Sequence, residues 1–585
     1  MQPDKILYID LSKRSFYVES RPDLFEKNFG GAGVAIRLLL EECPQKADPL
    51  GPENPIIFAV GPLTGLFPMA SKTVAMFKSP LTGNLGESHA GGRSASAIRM
   101  AGYGAIVIKG ASETPVYLAL YGEKVYFRDA SGIWGIGSSY TVGRIIRELE
   151  SEAGLRTIMR IGRAGEKMVS YASVIVETYR HFGRLGLGAV FGSKKLKAVM
   201  ISGKHSLKVD NPKAYRILYD KIFQLTVKSQ LMKKYHEIGT SSNVIPLNEL
   251  KALPSLNLRM TSLEDAENIS GESLAAKYLG RRVSCSHCPV ACIHLATLRD
   301  PYEDEPYFYK TTMVPYDYEP IYSLGSMLGL TNTDELLKLI DEVEVQGLDA
   351  VSTGVTLAWA TEAYEKGLVT SRETMGLELK WGDGNAYREA VRRIVSQPNE
   401  FFSTLAKGVE KAALRYGGLD FALSFGGNEM PGYHTGPATH LTFLTGARHS
   451  HLDSAGYSVD EANAKTGARL TPKQIAEALF REESWRQVLS SLVVCFFARG
   501  IYKPDIVLEA LQTTGFKPNV TIEDLTMMGV ETLKNKQAFK KREGFNYRDL
   551  RIPRRIVEVE TPIGFLEESF IKEGVEEFFK LLQQL

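Results

Sequence analysis

The chain has 585 residues, 44% apolar and 24% charged, the balance of an ordinary globular protein, and its length suits three or four domains. A formal net charge of +2 excludes the basic bias of a nucleic-acid binder or a membrane-surface protein. No run approaches roughly 18 apolar residues, which argues against a transmembrane helix; the start Met1-Gln2-Pro3-Asp4-Lys5-Ile6 opens a strand without a hydrophobic signal core, so a cytoplasmic location is expected.

Residues 6–11 and 16–19, on either side of Ser12-Lys13-Arg14, read as an opening hairpin. Phe29-Gly30-Gly31-Ala32-Gly33 precedes an amphipathic helix carrying Ile36, Leu38, Leu39 and Leu40. A glycine turn at a helix start either offers backbone N–H groups to a phosphate or simply serves the turn. No Gly-Lys-Ser/Thr follows, so it is not a Walker loop. Residues 55–125 alternate short strands (55–60, 74–78, 105–109, 116–120) with glycine turns, and His89-Ala90-Gly91-Gly92 precedes a helical run from Ser94 to Met100. Residues 138–153 read as a helix, with Val142, Ile145, Ile146 and Leu149 in phase. Residues 157–166 read as strand and turn, and glycine-rich stretches at 183–188 and 192–199 close a β-rich first region. From about 208 helical patterns take over, at 211–236, 271–280, 332–346, 351–367, 384–395, 400–416 and 472–498, with a docking helix at 575–582.

Three of the five cysteines, Cys285, Cys288 and Cys292, are spaced C-x2-C-x3-C in a loop expected between helices. Cys495 lies far downstream in an apolar segment, and Cys43 ends a helix and reads as structural. Three clustered thiolates and a distant fourth suit the sulfur ligands of a [4Fe–4S] cluster. Zinc on the same thiolates, or with His287 and His294, is an alternative, although only one knuckle is visible; incidental cysteines are a third reading. A disulfide framework does not fit so long and cysteine-poor a chain.

Taken in order, the motifs resemble those of the aldehyde ferredoxin oxidoreductase family. The carrying segments begin with Gly30-Gly31-Ala32-Gly33, Gly61-Pro62-Leu63-Thr64-Gly65, and the stretch from Lys78 to Gly83. Gly91-Gly92, Ala101-Gly102-Tyr103, 161–166, 183–188 and Gly192-Ser193-Lys194-Lys195 continue the series. The cysteine motif, Tyr318-Glu319-Pro320 with Ser323-Leu324-Gly325-Ser326, the stretch from Gly347 to Gly354, Trp381-Gly382-Asp383 and Cys495 complete it. The resemblance covers nearly the whole chain, and its specificity lies in the colinear order rather than in any one motif.

The resemblance implies an α+β fold: a β-rich, saddle-shaped N-terminal domain (1–207) followed by two mostly helical domains (208–418 and 419–585) enclosing a bis-pterin metal cofactor. That cofactor would be tungsten held by two molybdopterins, or molybdenum in some relatives, beside one [4Fe–4S] cluster on Cys285, Cys288, Cys292 and Cys495. Anionic pterin phosphates need N–H donors, which the turns at Gly30, Gly31 and Gly33, at His89, Ala90, Gly91 and Gly92, and at Phe182, Gly183, Arg184, Gly186 and Gly188 could supply. Lys72 stands where the family often has an arginine between cluster and pterin; it keeps the charge without the planar fork. His89 replaces an asparagine near a bridging Mg2+.

A family motif of the form D-x-x-G-L-D/C survives as Glu344, Gly347, Leu348 and Asp349, whose carboxylates suit pterin N–H groups. Its second copy, Ser490 to Cys495, has lost both acid and glycine, so pterin contact there would rest on Ser490 or on backbone near Val494. Glu319 matches the family's carboxylate near tungsten, where a low-dielectric pocket would raise its pKa; the plain alternative is a helix N-terminal carboxylate. His451 matches the active-site histidine, with His449 and His440 as competitors among four histidines between 434 and 451. His434-Thr435-Gly436 departs from the family's Asp-Pro-Arg near the substrate channel.

The resulting expectation is a tungsten enzyme that oxidises an aldehyde to a carboxylic acid. Its electrons would pass through the cluster to ferredoxin or to a polyferredoxin-like small subunit, in a homodimer or heterodimer. The catalytic subunit of a benzoyl-CoA-type dearomatising reductase is a second reading, and a zinc-stabilised scaffold without redox chemistry is a third.

Overall fold

The computed structural model describes residues 4–302, 304, 305 and 307–584; Met1, Gln2 and Pro3 of the opening segment lie outside the described residues. The chain divides into two compact units. One comprises Met1–Met232, Ser284–Val290 and Arg481–Asn546; the other comprises Lys233–Val283, Ala291–Phe480 and Tyr547–Leu585. Among the described residues no helix is long and apolar enough to cross a membrane.

The first unit holds the β-rich N-terminal part of the α+β fold. Its first sheet contains β1 (Lys5–Asp10), β2 (Ser15–Ser20), β3 (Ile56–Ala59), β4 (Thr73–Lys78), β5 (Leu85–Ala90) and β6 (Ala105–Lys109), in the order β2-β1-β6-β3-β4-β5. The opening hairpin is as the sequence predicts, with Tyr8 opposite Tyr17. A second sheet contains β7 (Val116–Tyr121), β8 (Lys124–Asp129), β9 (Leu155–Arg160), β10 (Val174–Val176), β11 (Arg180–Phe182) and β12 (Leu196–Gly203), in the order β11-β10-β9-β12-β7-β8. Strand alternation sorts the side chains of β7: Leu118 and Leu120 enter a core shared with Leu7, Phe58 and Phe77 of the first sheet. Tyr117 and Ala119 face the other way, onto Val142 and Ile146 of helix Ser139–Leu149. Phe58 and Phe182 meet at 5.4 Å between ring centroids, so Phe182 is a core residue.

The second unit is mainly helical, and its helix starts are written in the sequence. Asn332, Asp349, Asp383 and Asn399 each accept a bond from the backbone N–H three residues on, at 2.9–3.1 Å. Helix Ala350–Glu365 is buried on every side from Val351 to Ala363, as a central helix must be. A Cβ on its Gly354 would lie 2.0 Å from the Ser323 carbonyl, so glycine is what allows helix Tyr318–Leu324 to approach.

Several expectations change. The pattern at 211–236 is two helices, Pro212–Lys228 and Gln230–Glu237, parted at Ser229. The cysteine motif lies between strands, not helices: β13 (Leu279–Val283) precedes it and β14 (Ile293–Pro301) follows, forming a three-stranded antiparallel sheet with β15 (Tyr309–Tyr316). Charged Arg281 and Arg282 mask the short strand β13. The pattern at 400–416 is two helices, Glu400–Leu405 and Val409–Tyr416, parted at Gly408, whose φ is +96°. The pattern at 472–498 stops at Ser491, because Val493 takes a left-handed φ of +55°.

Candidate functional site

In the first unit the cysteine loop is tied to its surroundings through backbone. Met69 N–H donates to the His287 carbonyl at 3.1 Å, and the Met69 carbonyl accepts from Cys495 N–H at 3.0 Å. One residue therefore links the cysteine loop to the distant cysteine. Ser286 N–H donates to Gly92 O at 2.9 Å, and Lys72 N–H to Val493 O at 3.1 Å. Gly91 lets these parts converge: a Cβ there would lie 2.5 Å from Cys285 Sγ, 3.3 Å from Lys72 Nζ and 3.6 Å from Arg180 Nε. Desolvation pushes the Cys285 thiol up, but the charges of Lys72 and Arg180 and the Gly92 N–H pull it down, leaving it below its ordinary value. Arg180 was not among the sequence candidates; it opens β11 just before the glycine motif at 183–188, and nothing local signals its approach to a cysteine more than a hundred residues away.

The glycine turns have structural duties of their own. Gly30 N–H donates to Asn28 O, Gly31 N–H to Val60 O, and Gly33 N–H to Ser491 Oγ, at 2.8–3.0 Å. These three donors are engaged by protein. A Cβ on Gly31 would sit 2.2 Å from the Ser490 carbonyl, on Gly186 2.1 Å from Ser170 O, and on Gly188 2.4 Å from Ser173 O. His89 lies on β5 with Nε2 2.7 Å from Glu87 Oε1, and Glu87 pairs with Lys536 at 2.6 Å, both side chains 1% exposed. Ala90 lies in the shared core, while Gly183 and Arg184 follow β11 at half-buried positions.

The two copies of the acid–glycine motif fold alike. Gly347, at φ +78°, donates to Glu344 O at 3.2 Å, and Leu348 N–H to Val343 O at 3.1 Å. Val493, at φ +55°, donates to Ser490 O at 3.2 Å, and Val494 N–H to Leu489 O at 2.9 Å. The degenerate copy thus keeps the left-handed helix-end joint that glycine normally serves. Asp349 follows the first joint and caps the next helix; Cys495 follows the second.

In the second unit His451 Nε2 lies 3.2 Å from Glu319 Oε1. Glu319 is held by helix Tyr318–Leu324: Tyr318 N–H donates to Thr240 Oγ1 at 3.0 Å, Tyr322 hydroxyl to Met430 O at 3.0 Å, and Tyr318 hydroxyl to Gly432 O. His451 sits in a loop fastened by buried Asp453, which accepts from Arg448 N–H and Ser450 N–H, both at 3.0 Å, and from Arg448 Nε at 2.7 Å. Tyr433 packs beside the His451 ring at 5.2 Å and stacks on Tyr457 at 4.5 Å. Burial pushes the Glu319 carboxyl up, but the hydrogen bond and charge of His451 pull it down, and the balance lies below the ordinary value. The raised value expected from burial alone is therefore overturned by its neighbour. Among the described residues His451 Nδ1 is buried with no protein partner.

The competing histidines face elsewhere. His449 Nδ1 lies 2.9 Å from Phe443 O, and His440 Nε2 lies 2.9 Å from His434 Nδ1. His294, the other zinc candidate, is a buried strand residue with Nε2 2.9 Å from His236 O, while the exposed His287 is fixed through its backbone.

The family model described as "Aldehyde ferredoxin oxidoreductase, N-terminal domain" matches residues 6–203, and that described as "Aldehyde ferredoxin oxidoreductase, domains 2 & 3" matches residues 218–583. The chain belongs to the aldehyde ferredoxin oxidoreductase family and is an oxidoreductase of that type. It is 31% identical to the tungsten-containing aldehyde ferredoxin oxidoreductase of Thermococcus kodakarensis, over 99% of this chain and 95% of the relative. The enzyme of the same name from Pyrococcus furiosus is 31% identical over 96% of this chain and 92% of its own. Among solved structures, the active site complex BamBC of benzoyl coenzyme A reductase with 1,5-dienoyl-CoA superposes with a TM-score of 0.82 at 22% identity, covering 99% of this chain and 94% of that one. At that identity the likeness is one of fold.

Proposed function

We propose that this chain is a tungsten–bis-pterin oxidoreductase that oxidises an aldehyde to a carboxylic acid. One aldehyde and one water yield one carboxylic acid, two protons and two electrons. Cys285, Cys288, Cys292 and Cys495 would hold a [4Fe–4S] cluster, which would supply one-electron transfer to ferredoxin or to a cluster-bearing subunit. The observation that carries this reading is the Glu319–His451 pair, with its buried, unpartnered Nδ1, in a chain of this family. The Cys285 surroundings fit a cluster ligand: Lys72, Arg180 and the Gly92 N–H favour thiolate, the form that binds iron. The Asp349 and Glu344 carboxylates and the matching joint at 490–495 suit the pterin rings. His89 would lie near a Mg2+ accompanying the cofactor.

When bound, the tungsten centre supplies the two-electron acceptor that no side chain provides. The protein's share is proton handling and orientation. The Glu319 carboxylate, ionised near neutral pH, accepts a proton as water adds to the carbonyl carbon. His451 holds that carboxylate through Nε2 and leaves Nδ1 for a polar group of cofactor or substrate. Tyr433 and Tyr457 close one side of the pair with aromatic surface and limit water.

The test is elemental analysis of anaerobically purified protein with a viologen-linked aldehyde assay. About four irons and one tungsten per chain with aldehyde-dependent viologen reduction is the expected result. Zinc alone would sink the reading, and activity with acyl-CoA but not free aldehyde would replace it with the dearomatising reductase.

A further inference from the structure

An acid or amide at a helix start normally accepts from a backbone N–H two or three residues on, as Asn332, Asp349, Asp383 and Asn399 do. Asp317 occupies that place before helix Tyr318–Leu324, yet its side chain makes no capping bond. The sequence supplies the reason. The third helical residue is Pro320, which has no N–H to give, and the second, Glu319, turns its N–H to its own carboxylate. The first N–H, of Tyr318, goes to Thr240 Oγ1 at 3.0 Å, and the Asp317 carbonyl takes Ile321 N–H at 3.3 Å. The helix therefore starts without the Asp317 side chain, which bonds to the Glu319 carboxyl instead.

Two carboxyl groups share a hydrogen bond only when one of them carries a proton, since an ionised pair has no hydrogen to place between them. The surroundings decide which one. Burial pushes Glu319 up, but the hydrogen bond and charge of His451, and then the bond from Asp317, hold it down. Glu319 is thus the ionised member and Asp317 the donor. We propose that Asp317 is the proton-relay partner of Glu319, holding a proton in common with it and passing one out of the site in each turnover. The inference rests on the reading of Glu319 as proton acceptor above, and it adds the residue that empties it. As water adds to the carbonyl carbon, its O–H bond breaks and an O–H bond forms on Glu319. Half-buried Asp317 gives its own proton to water or buffer, and the Glu319 proton then crosses to Asp317, which restores the resting pair. No electron moves in these steps. Asp317 acts through Glu319 and is a positioning residue in that sense. The other titratable groups around the pair are His451, Tyr318, Tyr433, Tyr457 and, on helix Gly456–Thr466, Glu461. Burial holds the Tyr318 and Tyr433 hydroxyls well above the ordinary tyrosine value, so neither gives up its proton here.

Infrared spectroscopy of the full chain reads the shared proton without turnover. At about pH 8, where ordinary carboxyls are ionised, the wild type should show the carbonyl stretch of a protonated carboxyl that shifts in D2O. That band should vanish in both D317N and E319Q. Kinetics of the anaerobically purified holoenzyme read the relay. D317N keeps a hydrogen bond to Glu319 but has no proton to exchange. Its viologen-linked kcat should fall at least about tenfold, with the aldehyde KM within about twofold of wild type. D317E should recover most of the loss, and about 0.1 M acetate should raise the kcat of D317A severalfold, as a small acid replaces the missing carboxyl. A wild type without the band, a D317N enzyme with wild-type kcat, or a D317A enzyme indifferent to acetate would overturn the relay. A band lost in D317N, in protein without aldehyde turnover, would instead keep the pair and sink the aldehyde reading above.

Discussion

Val493 offers the sharpest quantitative check. It is a buried β-branched residue, 1% exposed, at φ +55°, in a joint whose sister copy carries Gly347 at φ +78°. Holding an L-residue left-handed costs roughly 1–2 kcal/mol, and more for a β-branched side chain. Replacement by glycine relieves that cost but removes packing of about 1.5 kcal/mol, so the wild-type comparison alone is ambiguous. The informative pair is Val493→Gly against Val493→Ala, since both lose the side chain and only alanine keeps a Cβ in the left-handed region. At an ordinary helix position alanine is the more stable by about 0.5–1 kcal/mol. Here the order should invert, with glycine ahead by about 0.5–1 kcal/mol after the larger entropy of its unfolded chain is subtracted. Urea unfolding of the full chain, followed by protease susceptibility, gives the difference; Gly347→Ala, expected to lose about 1 kcal/mol, is the matching control. An alanine variant as stable as the glycine variant, or more so, would refute the claim that the joint strains Val493.

Four other outcomes follow from the geometry. Glu319→Gln should keep the fold and lower viologen-linked kcat by about 10²–10⁴-fold, the range for loss of a general base, with circular dichroism unchanged; a loss below tenfold would remove Glu319 from proton transfer. Gly91→Ala should lower the iron content per chain, because its methyl occupies the space beside Cys285 Sγ, and normal iron would contradict that crowding. Lys536→Met should cost roughly 3–5 kcal/mol by leaving the Glu87 carboxylate buried without its cation, and Lys536→Met with Glu87→Gln should recover much of it in thermal unfolding. Burial holds His434 down to about 4, against 6.5 in the unfolded chain, so the unfolded chain takes the proton first. Its contribution is full above pH 6.5 and is lost as pH falls towards 4, by roughly 3 kcal/mol, a slope that His434→Asn should flatten in urea midpoints measured from pH 4.5 to 7.

Local signals carried most of the elements. The opening hairpin, the helices after Gly30 and Arg93, and the capped helices from Asn332, Asp349 and Asp383 follow from alternation, helical phase and cap residues, all of which act within a few positions. The strand β13 carries no strand signal because its arginines break the alternation. The early stop at Ser491 has no local signal because valine is the residue least expected in a left-handed joint. In the candidate site, Glu319 and His451 were legible from motif order, but their pairing joins residues 132 apart. That pairing also reverses the pKa expected of Glu319. Arg180 beside Cys285 and Lys536 beside Glu87 are products of tertiary approach, and no window of sequence contains them.

The place of Met69 has a mechanical consequence. Its N–H and its carbonyl grip His287 and Cys495 from the two sides of one residue, so neither cysteine segment shifts without loading the same two peptide planes. Oxidation of a thiol at one end would slacken the support of the other. Damage to this region should therefore spread as a single cooperative event, with the thiols at Cys285 and Cys495 becoming reactive together rather than one after the other.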